Sequence, residues 1–262
     1  MTKQIQCFAL LILLCLNCIA SEFDHSHKIY DKLLKRHVYW TNEGHASQVD
    51  YAGLKKDKAH LDLYIETLKS VTKAQFNEFS KDEQLSFLIN TYNAYTLSWV
   101  IEKHTTINTI KNLGTLFRSP WKNKRFQIFG ERVSLDYIEH DLIRERGKYD
   151  DARIHMAVNC AAVGCPALRP EAFIPSNLSK QLSDNTTRFI TDPSRNIFTP
   201  EVFSLSKIFK WYRSDFELGS KSVIDWLRVH HPTLEREILK SKEKEIKIKY
   251  LDYDWSLNRK SY

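Results

Sequence analysis

Apolar residues recur every three to four positions in HKIYDKLLKRHV (27–38) and again in GLKKDKAHLDLYIETLKSV (53–71). That spacing predicts two helices, joined by a loop that holds VDYAGL (49–54). A third helix is marked more strongly. Ser80-Lys81-Asp82-Glu83 is a capping-box sequence, in which the serine and glutamate side chains each satisfy the other's end of the backbone. The segment it opens, QLSFLINTYNAYTLSWVIEKH, places Leu85, Leu88, Ile89, Tyr92 and Val100 on one face and Phe87, Ala94 and Leu97 on another. A helix apolar on two faces is buried nearly all round. KRFQIFGERVS (124–134) alternates polar and apolar residues about Gly130, the pattern of a β-hairpin. Ser134 then caps a helix through SLDYIEHDLIRER with Leu135, Ile138 and Leu142 inward. RIHMAV (153–158) is too short for periodicity to decide between a strand and the last turns of a helix. LSKQLSDNTTRFI (178–190) and KSVIDWLRVHH (221–231) read as helices, and FSLSKIFKWYRSDF (203–216) as a strand running into one. The order predicts an α+β fold, a helical lobe packed on a small antiparallel sheet in a single domain.

Composition agrees with one large core: six tryptophans, twelve tyrosines and fourteen phenylalanines, with only seven glycines and seven prolines and no linker-like run. The first twenty residues change the picture. MTKQIQCFALLILLCLNCIA has one lysine, no acid, and an apolar run from Ile5 to about Leu16 that is too short to span a bilayer. It reads as a signal peptide, with residues 21–262 as the mature domain in the periplasm or secreted, and no transmembrane segment after cleavage. Lipid anchoring through Cys18 is the alternative, disfavoured by Asn17 where a small residue is usual. Cys7, Cys15 and Cys18 leave with that segment, so of five cysteines only Cys160 and Cys165 remain. The formal charge, +7 for the whole chain, favours anionic surfaces. Its basic residues are mixed with acids, and an exported chain is not expected to meet nucleic acid.

Several polar residues stand out from the core pattern. Asn90 and Asn93 lie three positions apart on the buried helix, with Tyr92 between them. They are candidates for the floor of a substrate-binding pocket; the alternative is that the two amides lock the backbone of a neighbouring loop. Glu139 and His140 are adjacent in a helix, where their side chains diverge by about 100 degrees, so they do not pair with each other. His155 and Asn159 fall on one face whether their segment is strand or helix, which puts Cys160 on another. Cys160 is then a candidate nucleophile, with His140 or His155 as base and an asparagine as orienting group. A four-residue AAVG turn can equally bring Cys160 and Cys165 within about 7 Å for a disulfide. A zinc site is a poor fit to one C-x4-C pair, and a redox role departs from the C-x-x-C spacing of thioredoxin-like sites. No metal and no cofactor is called for.

FLINTYNAYTL, VSLDYIEHDLIR, RIHMAVNCAAVGCPAL and YDWSLN, in this order and spacing, resemble the bacterial members of domain-of-unknown-function family 547. The resemblance runs from about residue 49 to 258. It matches Asn90, Tyr92 and Asn93; Glu139 and His140; His155, Asn159, Cys160, Cys165 and Pro166; and Asp254, Trp255 and Asn258. Leu88 stands where family members often carry tryptophan. The family assigns no activity, but polar motifs separated this far read as the wall of one site. The expectation is an exported envelope protein with a thiol-centred site, a cysteine hydrolase or acyl transferase acting on a small-molecule, peptide or envelope substrate. Its rival is a non-catalytic ligand- or partner-binding domain with a Cys160–Cys165 disulfide.

Overall fold

The computed structural model describes residues 22–114, 119–239 and 246–260. The segment read as a signal peptide lies outside the described residues. Helix α1 (Lys28–His37) buries Tyr30, Leu33 and Leu34, as its spacing predicts. It leads into a hairpin that the periodicity does not reveal, β1 (Val38–Thr41) paired antiparallel with β2 (Ala46–Val49). Its strands are only four residues long, and its turn places Asn42, Glu43 and Gly44 at positive φ. Helix α2 (Tyr51–Lys56) then begins inside VDYAGL. That stretch was expected as loop. Asp50 caps it, its carboxylate accepting from the Gly53 N–H at 2.6 Å, and α3 (Lys58–Ser70) follows at once.

Helix α4 (Lys73–Glu78) is short and leads to the central helix, α5 (Lys81–Lys103). The capping box is formed: the Ser80 N–H donates to Glu83 at 2.7 Å and the Glu83 N–H to the Ser80 hydroxyl at 3.4 Å. Every residue from Gln84 to Leu97 is buried. So many polar residues can be buried because Ser86, Thr91 and Thr96 return their hydroxyls to helix carbonyls one turn earlier, leaving none unsatisfied. The predicted hairpin is present as β3 (Phe126–Ile128) and β4 (Glu131–Val133), with Phe129 and Gly130 at positive φ in its two-residue turn.

Ser134 caps α6 (Leu135–Tyr137), and Leu135, Ile138 and Leu142 are buried as expected. The helix does not stay α-helical. It widens into a π-helical turn over Ile138–Ile143, in which the Arg144 N–H reaches back to the Glu139 carbonyl. RIHMAV is neither strand nor α-helix but lies in a single 3-10 turn, Ala152–Met156, and the chain beyond it. The second half supplies α7 (Leu178–Ile190), β5 (Ile197–Phe198), β6 (Val202–Leu205), α8 (Lys207–Trp211), α9 (Arg213–Phe216), α10 (Val223–His230), α11 (Leu234–Leu239) and β7 (Lys247–Tyr250).

The fold is α+β, with sheets smaller and more scattered than a single packed sheet. Two hairpins stand apart from a three-stranded sheet in which β5 and β6 pair antiparallel and β6 and β7 pair parallel. Two apolar clusters build the interior. The larger surrounds α5; the smaller gathers Phe189, Phe203, Phe209, Phe216, Trp226 and their neighbours. The 3-10 turn joins them, with Ile154 in the first and Ala152 and Met156 in the second. No helix among the described residues is long and apolar enough to cross a membrane.

Candidate functional site

The polar residues of α5 act on the segments laid against it. Asn90 donates to the Phe173 carbonyl at 2.7 Å and accepts from the Phe173 N–H at 3.1 Å. Asn93 does the same for the loop that follows the 3-10 turn, donating to the Ala157 carbonyl at 2.9 Å and accepting from the Asn159 N–H at 2.8 Å. An amide that matches one donor and one acceptor of passing backbone fixes both position and direction. These two asparagines are backbone locks, and neither is among the residues lining the pocket described below.

Asn159 continues the same function. Its side chain donates to the Pro166 carbonyl at 2.8 Å and accepts from the Ala161 N–H at 2.9 Å, a local turn that holds Ala161 at φ 62° although it is not glycine. His155 and Asn159 do not share a face, because the 3-10 turn ends at Met156 and the regular spacing stops there. The loop from 161 to 164 is pinned on its other side by the end of the chain. The Val163 and Gly164 N–H groups donate to the carbonyls of Ser256 and Asp254 at 2.8 Å, and the Asn258 N–H to the carbonyl of Ala161 at 3.0 Å. Asn258 is held in turn by the Tyr51 hydroxyl at 2.5 Å.

Within this clamp Cys160 and Cys165 form a disulfide, their Cα atoms 6.3 Å apart. There is thus no free thiol at the site. Cys165 is 4% exposed, and its sulfur accepts from the Cys160 N–H at 3.0 Å and from the Tyr253 hydroxyl at 3.1 Å. Cys160 is half-buried, and its sulfur stands farther from the same hydroxyl, at 3.4 Å.

The π-helical turn faces the bridge. Glu139 and His140 are successive residues of this turn, and both border the same pocket. Glu139 is buried and accepts from the Tyr212 hydroxyl at 2.6 Å. Burial and the Glu139 charge push the Tyr212 phenol far up, so it donates at any ordinary pH. His140 is not a free base: its Nδ1 accepts from Arg144, a residue that can only donate. His155 is different. Its Nε2 lies 2.8 Å from Asp215, and its ring stacks on Tyr212 with centroids 3.9 Å apart. Burial holds its pKa below the usual value even against the carboxylates of Asp215 and Glu139, so the ring is neutral near pH 7. An ionised Asp215 can only accept, hence Nε2 carries the proton and Nδ1 the lone pair. Burial would raise the Asp215 pKa, but the bonds from His155 and Arg144 outweigh it and hold the carboxyl well below its usual range.

One open pocket of about 230 Å³ lies in the seam between the two apolar clusters. Tyr92, Glu139, His140, His155, Cys160 and Cys165 all border it. Trp121, Trp211, Tyr212, Tyr253 and Trp255 supply aromatic walls, with Asp136 beside them. Of the residues singled out in the sequence, Asn90, Asn93, Asn159, Asp254 and Asn258 are not part of the wall, and the four asparagines hold the segments behind it. Tyr212 and Asp215 escaped notice, and Tyr253 carried no role of its own. Tyr212 and Asp215 sit in a stretch legible only as helix, and nothing in their spacing ties them to His155. Tyr253 opens the closing motif YDWSLN, and that place directly before Asp254 and Trp255 was the available signal. Among the described residues no group of three or more His, Cys, Asp and Glu is placed to hold a metal ion.

Residues 76–190 match the family described as protein of unknown function, DUF547. The DUF547 match takes in the asparagine locks, the π-helical turn, His155 and the disulfide loop. Trp211, Tyr212, Tyr253 and Trp255 lie beyond it, so part of the pocket wall is built from chain outside the matched region, as is Asp215, the partner of His155. No curated protein and no solved structure matches the chain significantly.

Proposed function

We propose that this DUF547 protein is an exported, ligand-binding domain whose pocket holds a small molecule between aromatic walls and the Cys160–Cys165 bridge. The observation that carries this reading is that the polar residues of separate motifs converge on an open pocket in which both cysteines are already joined. A bridged pair cannot act as a thiolate nucleophile. Flat aromatic faces at Trp121, Trp211 and Trp255 suit a ligand with a flat apolar face, and the carboxylates of Asp136 and Glu139 suit one with hydroxyl or amine donors along its edge. Export rests on the charged start, short apolar run and small-residue end of residues 1–20. The test is thiol titration of the folded, air-oxidised protein, together with tryptophan fluorescence on titration with simple saccharides and alkylammonium ions. Supporting results are no reactive thiol and a saturable fluorescence change that Trp211→Ala abolishes. Two titratable thiols in the native protein, or a fluorescence response indifferent to Trp211, would overturn it.

A second reading is favoured by one specific pair. His155 with its proton fixed on Nε2 by Asp215 offers a neutral Nδ1, the state a general base requires. On that reading the reduced protein is a thiol-centred hydrolase or acyl transferase with Cys160 as nucleophile and His155, not His140, as base. It predicts turnover of a thioester substrate only after reduction, lost in both Cys160→Ser and His155→Gln.

A further inference from the structure

The two sulfurs of the bridge have unequal surroundings. Both cysteines border the pocket, but Cys160 is half-buried and its sulfur stands 3.4 Å from the Tyr253 hydroxyl, while Cys165 is buried and receives two closer hydrogen bonds, from the Cys160 N–H at 3.0 Å and the Tyr253 hydroxyl at 3.1 Å. In thiol–disulfide exchange the attacking thiolate needs access to one sulfur, and the other must leave as an anion. Donors aimed at a developing thiolate stabilise it and make it the better leaving group. Burial keeps the Tyr253 phenol protonated far above the ordinary range, so it remains a donor throughout.

We infer that the bridge is exchange-active toward low-molecular-weight thiols that enter the pocket, with a fixed polarity: Cys160 is the sulfur attacked and Cys165 the one that leaves. An incoming thiolate bonds to the Cys160 sulfur, and the bond between the cysteines breaks with its electron pair passing to Cys165. The products are a mixed disulfide on Cys160 and a Cys165 thiolate held by the Cys160 N–H and Tyr253. A second thiolate then attacks the small-thiol sulfur, releasing an external disulfide and Cys160 as thiolate. In balance, two external thiols are oxidised to one disulfide, the bridge is reduced, and the two thiol protons pass to Cys160 and Cys165. The inference rests on the pocket being open to small molecules, as proposed above, but not on which ligand it binds.

The experiment treats the oxidised full-length protein briefly with cysteamine, traps free thiols with N-ethylmaleimide, and reads both modifications by fragmentation of the peptide that contains residues 154–169. The expected result is cysteamine on Cys160 and maleimide on Cys165, in about tenfold excess over the reverse arrangement. Tyr253→Phe keeps the ring and removes the donor, and should slow the exchange by roughly three- to tenfold while leaving the melting temperature near that of the wild type. An adduct on Cys165, an even division, or no adduct until the protein is unfolded would each overturn the inference, and the wild-type reading needs no variant to fold. Loss of saccharide or ammonium binding with the adduct still on Cys160 would overturn only the preceding proposal. An adduct on Cys165 with binding intact would overturn only this one.

Discussion

His155 Nε2 and Asp215 Oδ2 lie 2.8 Å apart although sixty positions separate them in sequence. The same carboxylate takes Arg144 at 2.6 Å and Arg146 at 3.0 Å, so Asp215 ties the 3-10 turn to the end of the π-helical turn. Removing it leaves a part-buried guanidinium and a buried imidazole without their acceptor. Asp215→Ala should therefore destabilise the fold by about 3 kcal/mol, and Asp215→Asn, which keeps an acceptor for one partner, by less. Chemical denaturation of both variants checks the order.

Acidification should weaken the fold in a window set by buried histidines. His155 and His27 both have folded pKa values below the unfolded value near 6.5, His27 down to about 3, chiefly through burial. The unfolded chain then binds more protons than the folded one, so stability is fully present above the unfolded pKa and falls as the pH drops through it. For His27 alone the loss at pH 5 is about 2 kcal/mol. Asp215, depressed in the same direction, adds its own loss only below about pH 4. Melting curves from pH 7.5 to 5 should show a falling midpoint, and His155→Gln and His27→Gln should each flatten it. A midpoint independent of pH in this range would mean that these rings are solvated.

The central helix offers the cleanest link from sequence to stability. Ser80 and Glu83 cap it reciprocally, and replacing Ser80 by alanine should cost about 1 kcal/mol without altering the pocket. Asn93→Leu is a different kind of change. It fits the apolar surroundings but strands the Ala157 carbonyl and the Asn159 N–H in the interior, at about 1 to 3 kcal/mol for each unpaired group. Equal melting temperatures for the two variants would contradict the assignment of Asn93 as a backbone lock.

How far the sequence could be read follows from the range of the interactions involved. The capping box, the apolar faces of α5 and the hairpin at Gly130 depend on neighbours within a few positions, and all are present where periodicity and turn chemistry place them. The β1–β2 hairpin was missed because a four-residue turn joins its strands, where β3 and β4 flank a two-residue turn marked by Gly130, and α2 is a six-residue helix too short to show a period. The site was legible by residue type but not by role. Glu139, His140, His155 and the cysteines border one pocket, yet the π-helical turn that carries Glu139 and His140 depends on tertiary packing, which α-helical spacing does not foresee. Asp215 and Tyr212, which settle the states of His155 and Glu139, reach them across sixty and seventy-three positions. No local rule spans that distance.

Gly164 tests whether the end of the chain holds the disulfide loop in place. A Cβ added there would stand 3.0 Å from the Asp254 carbonyl oxygen and 3.0 Å from the Tyr253 ring, while the Gly164 N–H already donates to that same carbonyl at 2.8 Å. The crowding involves backbone, which cannot swing aside as a long side chain can. Gly164→Ala should therefore lift the 253–254 segment from the loop and cost about 1 to 3 kcal/mol. Trp255 packs at a tilt against Tyr253 with ring centroids 4.5 Å apart, so the displacement should also appear as a change in native tryptophan fluorescence. Gly147→Ala is the matched control: nothing lies within 4 Å of its added Cβ, and its cost, about 1 kcal/mol, comes from the positive φ alone. That variant should leave the fluorescence untouched. If Gly164→Ala instead melts and fluoresces like the wild type, the closing segment does not rest on the loop, and Tyr253 loses the seat from which it reaches the Cys165 sulfur.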